Sequence, residues 1–298
     1  MQHLLAMNDL TASDIQLLFE RADYLQRIKT AERRQRLLGK TALCLFYENS
    51  TRTLMSFQLA AQNLGIQIST LSMAYSSTQK GETFDDTIKT LAAMGPDALI
   101  MRHPESHIHQ HVKAYLPEGI QLINAGDGQN QHPSQTLLDL YTIRQRKNNF
   151  EQLKVTVIGD IKHSRVANSL IDGLTLLGNN NIHIYGPTNL IPVQHRNKSA
   201  DTFQEAITDS DVVVMLRIQK ERFATDESID IESWYQQYGL DCQKLKWAKP
   251  DAMVLHPGPM NRGVEIASEV ADGPQSFILQ QVKNGVLMRQ AIFDYLLH

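Results

Sequence analysis

Short apolar runs alternate along this chain with longer stretches in which apolar residues recur every three or four positions. The runs at 41–47 (TALCLFY), 67–72 (IQISTL), 98–101 (ALIM) and 120–124 (IQLIN) predict four strands in the first half. Those at 154–158 (KVTVI), 182–186 (IHIYG), 212–216 (VVVML) and 252–255 (AMVL) predict four more in the second. Most are continuous rather than alternating, as strands covered on both faces should be. After the first run, Leu54, Phe57, Ala61 and Leu64 predict a helix that Gly65 stops. Val166, Leu170, Leu174 and Leu177 predict another that ends at Gly178. Thr83 reads as the cap of a helix from Phe84 to Met94, Pro133 opens a long helix over 133–147, and 276–297 is helical by pattern.

Strand–helix alternation of this kind means parallel sheets flanked by helices. The expected class is α/β, with two doubly wound domains, each built on a mostly parallel sheet. The polar stretch near 145–152 carries no strand signal and marks the border, giving domains over 1–148 and 149–275, with the last helix, 276–298, packing back on the first. The helix opening at Pro133 is placed to brace both.

Composition narrows the function classes. With 29 Lys+Arg against 32 Asp+Glu, the formal charge of −3 lacks the basic excess of a nucleic-acid binder. The 298 residues are 42% apolar and 20% charged, enough for two cores and unlike a disordered chain. Apolar runs are strand-sized, so no membrane span is expected, and the N-terminus shows no secretory pattern. Cys44 and Cys242 are far apart and form neither a disulfide framework nor a metal motif, which fits a reducing, cytoplasmic setting. The histidines at 103, 107, 109 and 111 lack partners at ligand spacing, so no metal is expected there.

The informative residues follow the strands. Glu48-Asn49-Ser50-Thr51-Arg52-Thr53 succeeds the first, Arg102-His103-Pro104 the third, and a loop ending in His132 and Gln135 the fourth. Gly159-Asp160 through Arg165 succeeds the fifth, Arg217-Ile218-Gln219 the seventh, and His256-Pro257-Gly258-Pro259 the eighth. Open parallel sheets bind ligands beyond the carboxyl ends of their strands. Six such ends with cationic or hydrogen-bonding side chains point to an anionic substrate. Ser50 to Thr53 fit a phosphate site at a helix N-terminus, although an ordinary Ser50 or Thr51 cap with a solvated Arg52 fits the same letters. There is no GxxxxGK[ST] and no GxGxxG.

Over nearly its whole length the chain resembles the aspartate/ornithine carbamoyltransferase family. The resemblance rests on Ser-Thr-Arg-Thr at 50–53, Lys80-Gly81-Glu82-Thr83, Met101 to Pro104, the stretch 124–140 (NAGDGQNQHPSQTLLDL), Gly159-Asp160 to Arg165, Arg217 to Arg222 and His256 to Pro259. Arg217-x-Gln219, and Pro257 where the ornithine branch has Cys, match the aspartate branch; a carbamoyltransferase for another amino acid such as ornithine is the alternative. The resemblance implies that Ser50, Thr51, Arg52, Thr53 and Arg102 hold the phosphate of carbamoyl phosphate, with Ser76 and Lys80 from a neighbouring subunit. It implies Thr53, Arg102 and His132 at the carbonyl oxygen, Gln135 at the carbamoyl amide, and the backbone of Pro257 and Gly258 at its amino group. Arg165, Arg217, Gln219 and Lys80 then hold L-aspartate, in a cleft between the two sheets. It implies no metal or cofactor, and a homotrimer with shared active sites. Relatives either stand alone or join a zinc-bearing regulatory chain or a dihydroorotase-like partner. Leu54 and Gly258 depart from the family pattern; Leu54 is expected on the buried helix face.

Overall fold

The computed structural model describes residues 2–72, 81–219 and 230–298; Ser76, Lys80 and the 220–222 stretch lie outside them. The strands are β1 (Thr41–Phe46), β2 (Gln67–Ser72), β3 (Ala98–His103), β4 (Gln121–Asp127), β5 (Val155–Ile158), β6 (Ile182–Tyr185), β7 (Val212–Met215) and β8 (Met253–Leu255). The helices are α1 (Ala12–Arg27), α2 (Thr30–Gln35), α3 (Thr51–Leu64), α4 (Phe84–Ala93), α5 (Ile108–Lys113) and α6 (Pro133–Arg144). They continue with α7 (Arg165–Leu176), α8 (Phe203–Ile207), α9 (Ile231–Tyr238), α10 (Cys242–Leu245), α11 (Ser268–Ala271) and α12 (Ile278–Leu297). Every predicted strand is present. β3 and β4 run further than their apolar runs, because backbone pairing continues through the polar Arg102-His103 and Gly126-Asp127. The helix at Pro133 ends at Arg144, three residues before the expected 147.

Two parallel four-stranded sheets form, ordered β2-β1-β3-β4 and β6-β5-β7-β8, with helices flanking each. The α/β two-domain fold read from the pattern is therefore the fold of the chain. Its compact units are Met1–Leu138 with Lys283–His298, and Asp139–Val282. The division falls inside α6 and inside α12.

In the first unit, α3 buries Thr53, Ser56, Phe57, Ala60, Ala61 and Leu64, and Gly65 at φ +84° ends it in the left-handed conformation. Leu54 is half-buried rather than buried, a correction that follows from Thr53, one residue earlier, taking the inward position. Two helices precede β1; α1 starts in a capping box in which Thr11 and Asp14 satisfy each other's backbone N–H. Residues 4–7 run along β4, with Leu4 N–H donating to Leu122 O and Asn124 N–H to Leu4 O, so the last strand of the sheet keeps a covered edge. The C-terminal part of α12 belongs to this unit: the Phe57 and Phe293 rings meet edge-on at 5.9 Å, and Asp294 is held by Arg21 and Arg36. In the second unit, Ile158, Val213, Met215, Val254 and Ile266 form the core under the sheet.

In each sheet the strand order reverses between its first and third strand. That switch point splays the neighbouring connections apart and leaves a crevice at the carboxyl ends. β1 and β3 flank it in the first unit, β5 and β7 in the second.

Candidate active site

The polar residues singled out in the sequence stand just past the carboxyl ends of these strands, those after β1, β3, β5 and β7 beside the two crevices. In the first unit, Ser50 occupies the N-cap position of α3, yet its hydroxyl makes no capping hydrogen bond. By contrast Ser164 accepts from Ala167 N–H at 3.2 Å at the start of α7, and Thr83 from Asp86 N–H at 3.1 Å at the start of α4. The ordinary-cap reading of Ser50 therefore does not hold here. The first turn of α3 thus has no side-chain cap from Ser50, and the positive end of its dipole suits an anion. Thr51 and Arg52 are exposed there, and Thr53 is buried.

Arg102 sits where β3 and β4 lose register: Met101 pairs with Asn124, but His103 pairs with Asp127. Its Nη1 donates to Ala125 O at 3.2 Å, and Nε lies 3.2 Å from Glu48 Oε2. Glu48 follows β1 and was assigned no role from sequence; its place in the polar run after the strand is the signal that marks it. Beneath them Tyr47, Phe84 and His103 pack as a trio, with the Tyr47 ring 4.7 Å from His103 and 5.4 Å from Phe84. Burial pushes the Tyr47 hydroxyl up to about 12 and lowers His103, so both stay neutral at pH 7. His132 and Gln135 are buried at the entry to α6, where Gln135 N–H donates to His132 O at 3.0 Å.

In the second unit Arg165 is the first residue of α7 and is buried, and Arg217 follows β7 half-buried. Gln219 Nε2 donates to His163 O at 2.8 Å, and His163 Nδ1 lies 3.0 Å from the buried Asp160. Asp160 and His163 thus orient the loop that presents Arg165 and Gln219, a supporting role that sequence reasoning missed. At 256–259 the Gly258 N–H donates to His256 Nδ1 at 2.8 Å, so that donor is committed within the loop. His256 is fixed in turn by Glu265 at 3.2 Å, and its own N–H donates to Gln281 at 2.9 Å. Among the described residues no His, Cys, Asp or Glu side chains cluster as metal ligands.

The two units find counterparts among known proteins. Residues 2–145 match the model of the carbamoyl-P binding domain of aspartate/ornithine carbamoyltransferases, and 151–296 match their Asp/Orn binding domain. This chain belongs to the aspartate/ornithine carbamoyltransferase family. The aspartate carbamoyltransferase catalytic subunit of Coxiella burnetii is 48% identical over 300 residues, covering 99% of this chain and 96% of that protein. Among solved structures, aspartate transcarbamoylase from Trypanosoma cruzi in complex with carbamoyl phosphate and aspartate superposes with a TM-score of 0.86. It is 30% identical and covers 100% of this chain and 97% of that one. The catalytic subunit of M. jannaschii aspartate transcarbamoylase superposes at 0.85 with 32% identity, covering 99% and 98%. No helix among the described residues is long and apolar enough to cross a membrane.

Proposed function

We propose that this chain is an aspartate carbamoyltransferase: it transfers the carbamoyl group of carbamoyl phosphate to the α-amine of L-aspartate, giving N-carbamoyl-L-aspartate and phosphate for pyrimidine biosynthesis. The observation that carries the reading is the uncapped N-terminus of α3, with Ser50, Thr51, Arg52 and Thr53 in its first turn and Arg102 on the adjacent strand end. A dianionic phosphate satisfies those N–H groups and the guanidinium together. The first unit accordingly binds carbamoyl phosphate, and the second supplies Arg165, Arg217 and Gln219 for the two carboxylates of aspartate.

The chemistry follows from these roles. The amine lone pair attacks the carbamoyl carbon, a C–N bond forms, and the carbonyl oxygen becomes an oxyanion. Thr53, Arg102 and His132 donate to that oxygen, while Gln135 and the carbonyls of Pro257 and Gly258 hold the carbamoyl amide. Collapse breaks the C–O bond to phosphate, and the leaving phosphate takes the amine proton. Donors already aimed at the developing charge are the largest expected contribution, with positioning next. No side chain is modified along this path.

We further propose a cytoplasmic homotrimer whose sites borrow Ser76 and Lys80 from the adjacent chain. On α3, Met55 and Leu59 lie one turn apart on a single face and are 48% and 44% exposed, an apolar strip suited to a second copy. A regulatory chain or a dihydroorotase-like partner would bind such a trimer from outside. The deciding experiment supplies purified protein with carbamoyl phosphate and either L-aspartate or L-ornithine, and follows ureido product colorimetrically. Product with aspartate is expected. Preference for ornithine would select the other branch of the family, and no product with either amine would leave a binding protein.

A further inference from the structure

An apolar residue lies inside the segment proposed to hold aspartate, and the reaction scheme above gives it no part. Ile218 is 1% exposed and stands between Arg217 and Gln219, both half-buried. It does not join the core under the second sheet, where Ile158, Val213, Met215, Val254 and Ile266 meet. Ile218 belongs instead to a small separate cluster with the buried Leu190 and Trp234, against which Tyr238 and Val264 pack. Satellite clusters of this kind form beneath loops that the main core does not reach.

Two other members of the cluster lead to the neighbouring polar loops. Leu190 O accepts from Lys162 N–H at 2.8 Å, one residue before His163, whose own carbonyl accepts from Gln219 Nε2 at 2.8 Å. Val264 sits in a turn closed from both sides. Its N–H donates to Asn261 O at 3.1 Å, and Gly263 N–H donates to Ile266 O at 2.9 Å. Next to it Glu265 is 1% exposed, and its Oε1 accepts from Asn261 N–H and lies 3.2 Å from His256 Nε2. The other nitrogen of that ring, Nδ1, accepts from Gly258 N–H at 2.8 Å.

Three polar stretches of the second unit therefore rest on one group of apolar side chains: 162–165 through Leu190, 217–219 through Ile218, and 256–261 through Val264 and its neighbour Glu265. Hydrogen bonds within each loop give its groups a direction, whereas burial of an apolar side chain fixes where the backbone itself stands. A buried β-branched residue is stiff about its first side-chain torsion. In a close-packed cluster its displacement is passed to the residues it touches.

We propose that Ile218 is a positioning residue: through the cluster it shares with Leu190, Trp234 and Val264, it sets the 217–219 segment in register with the 162–165 and 256–261 loops. The groups that hold the two carboxylates of aspartate and those that meet the carbamoyl amide are thus seated on one apolar support. The catalytic consequence rests on the carbamoyltransferase reading; the seating does not. Misplacement of about 1 Å at such a site costs on the order of a hundredfold in rate.

The test follows amide hydrogen exchange and initial rates in the full-length protein. In Ile218→Ala the N–H groups of Lys162, Gly258 and Asn261, all remote in sequence, are expected to exchange roughly tenfold faster. Leu216 N–H, which donates to Ile158 O at 2.8 Å, is expected to keep its wild-type rate although it lies close by in sequence. KM for aspartate is expected to rise and kcat to fall, each by roughly tenfold, with KM for carbamoyl phosphate nearly unchanged. Ile218→Val keeps the branched shape and is expected to recover most of both. Val264→Ala, at the edge of the cluster, is expected to move the same amides and the same constants, and it decides the matter if Ile218→Ala does not fold. Wild-type exchange at Lys162 and Gly258 in the folded variants would overturn the proposal. A rise in KM for carbamoyl phosphate equal to that for aspartate would overturn it as well. A wild-type protein without carbamoyltransferase activity would instead refute the functional reading, and the exchange rates alone would then decide the seating.

Discussion

At the residue scale, the site is a set of cations whose directions are fixed by neighbours with no substrate role. Arg102 shows how. Its guanidinium spans Ala125 O and Glu48, contacts that fix its orientation. Arg102→Ala removes a donor from the developing oxyanion and is expected to lower kcat/KM by about 10²–10³. Glu48→Gln keeps the shape but weakens the orienting pair, and a loss of about tenfold is expected. Steady-state phosphate release at saturating aspartate measures both; a Glu48→Gln enzyme slower than Arg102→Ala would contradict this division of labour. The sequence marked Arg102 through its place after a strand. Glu48 was harder to read, because an acid next to an anion site looks misplaced until the 3.2 Å contact with Arg102 is known.

At the element scale, Asp97 links the starts of β1 and β3. One carboxylate oxygen takes Lys40 Nζ at 2.8 Å, and the other takes the Thr41 N–H at 2.8 Å. Burial alone would raise Asp97, but the hydrogen bonds from Lys40 and Thr41 outweigh it and its pKa is lowered. A carboxyl lowered in the folded state contributes stability that is fully present above its unfolded pKa of about 3.9 and is lost as pH falls through the lower folded value. Asp97→Asn is therefore expected to cost about 1–2 kcal/mol in urea unfolding at pH 7. The difference should shrink below about pH 4; a difference that persists at pH 3 would show that shape rather than charge is at work. α1 is similarly local in origin: Ile15, Leu18, Phe19, Ala22 and Leu25 form its buried face at helical spacing, and Thr11 caps it. The anchoring of α12 is different in kind. Asp294 meets Arg21 across 273 residues, and no local pattern announces such a pair.

At the scale of the whole molecule, the proposed shared-site trimer makes a prediction that no single chain satisfies. His132→Ala and Lys80→Ala chains, each inactive alone, are expected to regain part of their activity when unfolded and reassembled together, because some sites then receive an intact His132 and an intact Lys80. Activity of the mixture no greater than the sum of its parents would rule out sharing. The same assembly predicts that Leu59→Glu lowers the mass seen by sedimentation from that of three chains to that of one, since a carboxylate in the apolar strip would be buried without a partner.

Hydrophobic patterning by itself determined the eight strands, their parallel class and the helices after β1 and β5, because strands covered on both faces leave short continuous apolar runs and buried helix faces leave a period of 3.6 in the letters. It also determined which residues stand just past the strands, and thereby nearly all of the candidate site. What the tertiary structure decided was direction and pairing. The register break between Met101 and His103 falls at Arg102, the hydroxyl of Ser50 declines to cap α3, and His109 and Asp127 meet inside the first unit. The physical reason is that periodicity records burial, a property each residue carries locally. A hydrogen bond or ion pair between distant residues exists once the backbone has brought both partners to one place, and nothing in either segment alone encodes that meeting.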